Sequence, residues 1–139
     1  MVYIHIMSEE DNAFLACRDC RCSALRRASR TITQHYETCF RGTGLRATQF
    51  TLLATLAQMG PLALGSLASA LGLERTTLTR NLRALEKRGF VHALSEKDRR
   101  VRKIEITKEG RAAALSALDA WKLAQSTADE VLARTGLKF

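Results

Sequence analysis

Aromatic side chains are scarce in this chain, at 6% of residues, and proline occurs once, at Pro61. The first scarcity leaves little material for stacking unpaired bases on a Phe/Tyr platform, the usual strategy of single-strand binders. The second, together with frequent Ala, Leu and Arg, favours helices. No apolar run reaches the roughly 18 residues a membrane span needs. The start, Met1 to Met7, is too short and weakly patterned for a secretory signal. A cytoplasmic protein with reduced cysteines is therefore expected. The chain also lacks internal repeats, a Gly-rich phosphate loop, a Ser/His/Asp spacing and a paired-carboxylate arrangement. The expectation is a protein that is not an enzyme and needs no cofactor.

What is present is charge, and it is concentrated. The formal net charge is +8 over 139 residues. The 34-residue window from Arg75 to Lys108 holds eleven Lys or Arg and four acids, so it carries +7, and the other 105 residues carry +1. A charge this localised steers a protein onto a polyanion by one face. The length suits a single domain with one core.

The periodicity predicts mostly helix. A first long helix is expected over about Phe14 to Phe40, with a stripe of Cys22, Leu25, Ser29, Ile32, Tyr36 and Cys39 spaced three and four apart. A second, about Thr48 to Met59, buries Phe50, Leu53 and Leu56 and stops at Gly60-Pro61. A third covers about Gly65 to Leu71. After Gly72-Leu73 a fourth runs about Arg75 to Arg88, with Leu78, Leu82 and Leu85 inward and Gly89 as its stop. Two short strands follow, Val91 to Leu94 and Arg102 to Ile106, around a charged turn. Thr107 caps a long helix over about Lys108 to Gln125, with Leu115, Leu118 and Trp121 along one side, and a last short helix spans about Thr127 to Arg134.

Helices three and four with their Gly-containing turn have the order of a helix-turn-helix. With the three leucines inward, the opposite face of the fourth helix presents Arg75, Thr76, Thr79, Arg80 and Arg83. Arg reads guanine edges bidentately, and Thr contacts bases, thymine methyls or phosphates. Alone, such a face is a solvated surface. The adjoining turn, hairpin and charge favour double-stranded DNA as partner. The hairpin tip, Asp98 to Arg100, forms a thin basic loop suited to a narrow minor groove. Asp98 makes sense there by pairing with a nearby Arg and fixing the turn.

These residues carry a resemblance. Gly44-Leu45, Gln49-Phe50, Leu67-Ala68, Leu71-Gly72-Leu73, Thr77-Leu78-Thr79, Gly89, Asp98-x-Arg100 and Ile106-Thr107-x-x-Gly110 resemble the MarR-type regulators in order and spacing, from about Cys22 to Trp121. The resemblance implies a mostly α fold with a small β-hairpin wing: a winged helix-turn-helix over about 46–107, with dimerisation helices over about 13–45 and 108–139. It implies a homodimeric repressor on a pseudo-palindromic operator. Arg75, Thr76, Thr77, Thr79, Arg80 and Arg83 would face the major groove, with Arg99, Arg100 and Lys103 in the wing and Glu74 and Asp98 positioning it. The family's ligand crevice would involve His35 and Tyr36, which makes a small aromatic or phenolic ligand a candidate partner, against ordinary packing. Arg46 stands where the family often has a capping Thr or Ser. The first helix and the Leu115–Trp121 helix, at opposite ends of the chain, are expected to bury their stripes against a partner subunit and to be unnecessary to the wing domain's own core.

The cysteines stay ambiguous. Cys17, Cys20, Cys22 and Cys39 include one CxxC, but there is no second pair and His5, His35 and His92 are scattered, so no metal is expected. Cys22 and Cys39 on the apolar stripe read as small hydrophobes. The sharper reading is a redox sensor at Cys17, Cys20 and Cys22, with Arg18 and Arg21 lowering a thiol's pKa. Two further classes remain: a thiol-based redox protein using Cys17 and Cys20, and a winged-helix module for RNA or protein.

Overall fold

The computed structural model describes residues 6–94 and 102–137. The elements run α1 (Glu9–Ala13), a 3₁₀ turn (Leu15–Asp19), α2 (Arg21–Cys39), α3 (Ala47–Met59), β1 (Leu62–Ala63), α4 (Leu64–Leu71), α5 (Arg75–Lys87), β2 (Val91–Ala93), β3 (Lys103–Ile106) and α6 (Lys108–Arg134). The fold is mostly helical with a small antiparallel sheet, a winged helix-turn-helix.

The core forms where the leucines converge. Leu52, Leu53 and Leu56 of α3, Leu67 of α4, and Leu78 and Leu85 of α5 are at most 1% exposed. Phe40, at the end of α2, packs a tilted ring on Phe50 at 5.1 Å. Val91 and Ile106 pair across β2 and β3 and close the cluster from the sheet side.

Four expectations change. The first long helix breaks: Cys20 is extended at φ −63°, ψ 112°, so the 3₁₀ turn and α2 are separate pieces. Ser8 starts α1 through a capping box with Asp11. The sheet has a third strand, β1, paired with β3 through Leu62 opposite Ile104, giving the order β1-β3-β2. The last two predicted helices are one continuous α6. Ser126 and Thr127, at the expected boundary, donate their hydroxyls to the Leu123 carbonyl within the helix, a bond that satisfies such residues mid-helix.

The fourth change concerns which side of α6 is buried. Gly110, Ala114, Ala117, Ala124 and Ala128 face inward, while Leu115 is exposed and Trp121 half-buried. Small residues let α6 lie close to α2 and α3, both of which it packs against. Ala114 and Ala117 join the leucine core, so the wing domain does use α6.

The start of α6 explains the Thr107-x-x-Gly110 spacing. The Thr107 hydroxyl donates to the Gly89 carbonyl at 2.6 Å and accepts from the Gly110 N–H at 3.0 Å. The Thr107 N–H reaches the Phe90 carbonyl at 3.0 Å. A Cβ on Gly110 would sit 2.1 Å from that same Phe90 oxygen, so only glycine fits.

Candidate nucleic-acid interface

Helix α5 is positioned by its leucines and starts with backbone capping alone, the Leu78 N–H bonding the Glu74 carbonyl at 3.0 Å. With Leu78, Leu82 and Leu85 turned into the core, Thr76, Arg80 and Arg83 are exposed and Thr79 is half-buried beside them. Among the described residues, no acidic side chain pairs with Arg80 or Arg83. Thr77 sits on the shoulder, half-buried, its carbonyl accepting from the Asn81 side-chain amide at 3.0 Å. Arg75 differs from its neighbours: it is exposed, yet its guanidinium lies against α4, 3.2 Å from where a Gly65 Cβ would be. A stripe of free guanidinium groups and hydroxyls on one helix can make bidentate contacts to base edges and charge-assisted contacts to phosphates.

Glu74 is exposed and its side chain holds no partner among the described residues. Asp98, Arg99 and Arg100, the predicted hairpin tip, lie outside the described residues. Lys103 is half-buried on the central strand, and its carbonyl accepts from the Leu94 N–H at 2.8 Å. On the outer face of the hairpin His92 and Glu105 are cross-strand partners, with His92 Nε2 3.1 Å from Glu105 Oε1.

The start of α3 is held by a residue that sequence reasoning missed. Glu37 of α2 accepts from the Ala47 N–H at 3.1 Å and faces Arg46 Nε at 3.5 Å, while Gln49 accepts from the Arg46 N–H at 3.0 Å. An acid from a neighbouring helix thus does the capping usually done by a Thr or Ser. No local spacing could have shown it.

His35 and Tyr36 belong to the seam between α2 and α6. His35 Nε2 lies 3.1 Å from the Ala124 carbonyl and 2.8 Å from the Thr127 hydroxyl. The Tyr36 hydroxyl donates to Gln125. Burial pushes the Tyr36 phenol up from its ordinary pKa. A separate apolar groove of about 360 Å³ lies between α3 and α6, walled by Phe50, Ala54, Leu115 and Leu118 with Arg111 beside them.

All four cysteines are free thiols; Cys17, Cys20 and Cys22 are exposed and Cys39 is half-buried. Cys22, on the predicted apolar stripe, is exposed within the single chain. The Cys20 thiol is held below its ordinary pKa, first by the Ser23 N–H, then by the Ser23 hydroxyl, with Arg26 a minor contributor. A helix N-terminus favours the thiolate, so the cause is backbone donors more than the arginines at 18 and 21.

The MarR family model matches residues 45–101, from the loop before α3 to the hairpin. MosR, a transcriptional regulator of M. tuberculosis, is 37% identical, covers 80% of this chain and 82% of its own, and superposes with a TM-score of 0.69. The chain belongs to the MarR family. MosR solved in complex with DNA gives 39% identity, 79% and 82% coverage, and the same TM-score of 0.69. An uncharacterized HTH-type regulator of Bacillus subtilis, YwoH, is 33% identical over 66 residues, 48% of each protein. This chain thus spans about half the length of that curated relative. BpsR of Bordetella bronchiseptica, whose DNA binding is regulated by 6-hydroxynicotinic acid, shares the fold at 22% identity, with 75% and 80% coverage and a TM-score of 0.69. These MarR-family relatives are transcriptional regulators and not enzymes. Among the described residues, no helix is long and apolar enough to cross a membrane.

Proposed function

We propose that this MarR-family chain acts in the cytoplasm as a homodimeric repressor that reads a pseudo-palindromic operator in double-stranded DNA. The observation that carries the reading is the Arg–Thr stripe on the face of α5 opposite its leucines, with no acidic partner for Arg80 or Arg83 among the described residues. In this reading α5 enters the major groove with Arg75, Thr76, Thr77, Thr79, Arg80 and Arg83 toward the DNA. Arg80 and Arg83 reach base edges, while Arg75, laid back on α4, meets phosphate. Arg99 and Arg100 enter the minor groove, Glu74 and Asp98 steady the wing, and Lys103 adds general phosphate attraction. The DNA complex of the 39%-identical MosR supports the choice of DNA over RNA or protein.

Footprinting on the promoter beside the coding region tests it. The expected result is two protected patches about one helical turn apart. Absence of protection on any such fragment at low salt overturns it. Arg100→Ala should weaken operator binding with the dimer intact, while Lys103→Ala should mainly flatten the salt slope.

Two observations bear on what releases the DNA. The groove beside Arg111 offers apolar walls and a cation, the chemistry that suits a small aromatic or phenolic acid. The exposed Cys20, with its lowered pKa, offers a thiolate to an oxidant beside Cys17 and Cys22. Cys20→Ser separates them: oxidant-driven release disappears in the variant, whereas ligand-driven release is untouched.

A further inference from the structure

Helix α5 ends at Lys87, and the next residue does something unusual for a base at a helix end. The Arg88 side chain is exposed but folds back on its own domain: its Nη1 donates to the Gly44 carbonyl at 2.6 Å, across 44 residues of chain. Its guanidinium also lies over the Phe90 ring, 4.6 Å from the centroid. The acceptor is prepared. Gly44 is in the left-handed region at φ +81°, strained for any residue with a side chain. Thr43 closes the loop around it, its hydroxyl donating to the Phe40 carbonyl at 2.7 Å and accepting from the Leu45 N–H at 3.1 Å. The far end of the loop is tied to α2 by Glu37.

A continuous set of polar contacts therefore joins α2, the 41–46 loop, Arg88 and the last turn of α5. The rest of α5 is held by Leu78, Leu82 and Leu85. Apolar contacts fix where a helix sits but have no direction of their own; a short charge-assisted hydrogen bond does. We infer that Arg88 is a positioning residue that sets the tilt of the reading helix relative to α2, and thereby the half-site spacing the dimer accepts. The inference rests on the two-headed dimer proposed above. It assigns Arg88 no contact with DNA, although its charge alone would place it among phosphate binders.

The test uses full-length Arg88→Lys and Arg88→Ala and two DNAs, the footprinted operator and the same duplex with one base pair inserted between its halves. Lysine keeps the charge but loses the planar fork and the flat contact with Phe90. Both variants are expected to lose about tenfold of the wild type's discrimination between the two DNAs, the factor carried by one charge-assisted hydrogen bond. The salt slope of Arg88→Lys should match the wild type. Without DNA, amide exchange at Gly89 and Phe90 should quicken in both variants. Wild-type discrimination in Arg88→Lys overturns the inference, since charge alone would then suffice. Equal weakening of Arg88→Ala on both DNAs with a shallower salt slope also overturns it, in favour of a phosphate contact. Unchanged exchange removes the pin itself. A wild-type protein that protects no operator removes the proposed function instead, and the exchange measurement still judges the pin.

Discussion

The reading head and the two outer helices are built on different terms. Between α3 and β3, six leucines and Phe50 are almost completely shielded within one chain. Helix α2 buries only Ala28, and α6 buries glycine and alanines, while Leu25, Leu115, Leu123 and Leu132 are 37–66% exposed. A groove of about 460 Å³ between α2 and the end of α6 is lined by four large apolar side chains, Leu25, Ile32, Leu132 and Leu137. The head has a finished core. The outer helices meet along a thin alanine seam and leave their larger side chains uncovered, the composition expected of surfaces completed by a second subunit.

The contrast can be broken first where it is strongest. Leu53→Ala, in the shielded core, should cost about 2–5 kcal/mol of unfolding free energy, seen as a lower denaturation midpoint with an unchanged slope. A loss under half of the lower figure would mean that the head relies on the outer helices for its stability. Gly110→Ala tests the junction between the regions and should cost roughly 1–3 kcal/mol, because the Phe90 backbone must move to admit the methyl. Leu25→Ser with Leu132→Ser should barely change the unfolding of the head yet raise the dimer dissociation constant at least about tenfold. Sedimentation at several protein concentrations measures this, and an unchanged dimer would send the interface elsewhere. The smallest effect concerns Cys20. Its lowered pKa means that alkylation reaches half-maximum at lower pH in the folded protein than in denatured protein. Equal midpoints would remove Cys20 as the preferred oxidant target.

The head was legible in the sequence because its large buried side chains recur at regular spacing. Leu78, Leu82 and Leu85 recur at helical spacing with charges opposite, and Gly60-Pro61 and Gly72-Leu73 punctuate the helices around them. The α5 face followed from those residues, and the MarR fold from the resemblance that some of them help to carry. The outer helices misled because their buried side is alanine: the eye follows Leu115 and Trp121, which lie on or near the open side, and misses Ala114 and Ala117. The break at Cys20 has no Gly or Pro to mark it, and β1 is two residues long, too short to show a period. The contacts of Arg88 and Glu37 are distant in sequence or cross between helices. No local pattern encodes either, and both bear on how the head is held.

The missing methyl at Gly110 has a consequence well away from its own neighbourhood. Helix α6 runs 27 residues from this point, about 40 Å at the usual rise. Thr107 and the Phe90 carbonyl act as the fulcrum of that length. A turn of about 10° there would carry the far end of α6 some 7 Å sideways by simple geometry, more than the width of a leucine side chain. The tightness of one backbone contact therefore bears on the aim of a surface about four nanometres distant.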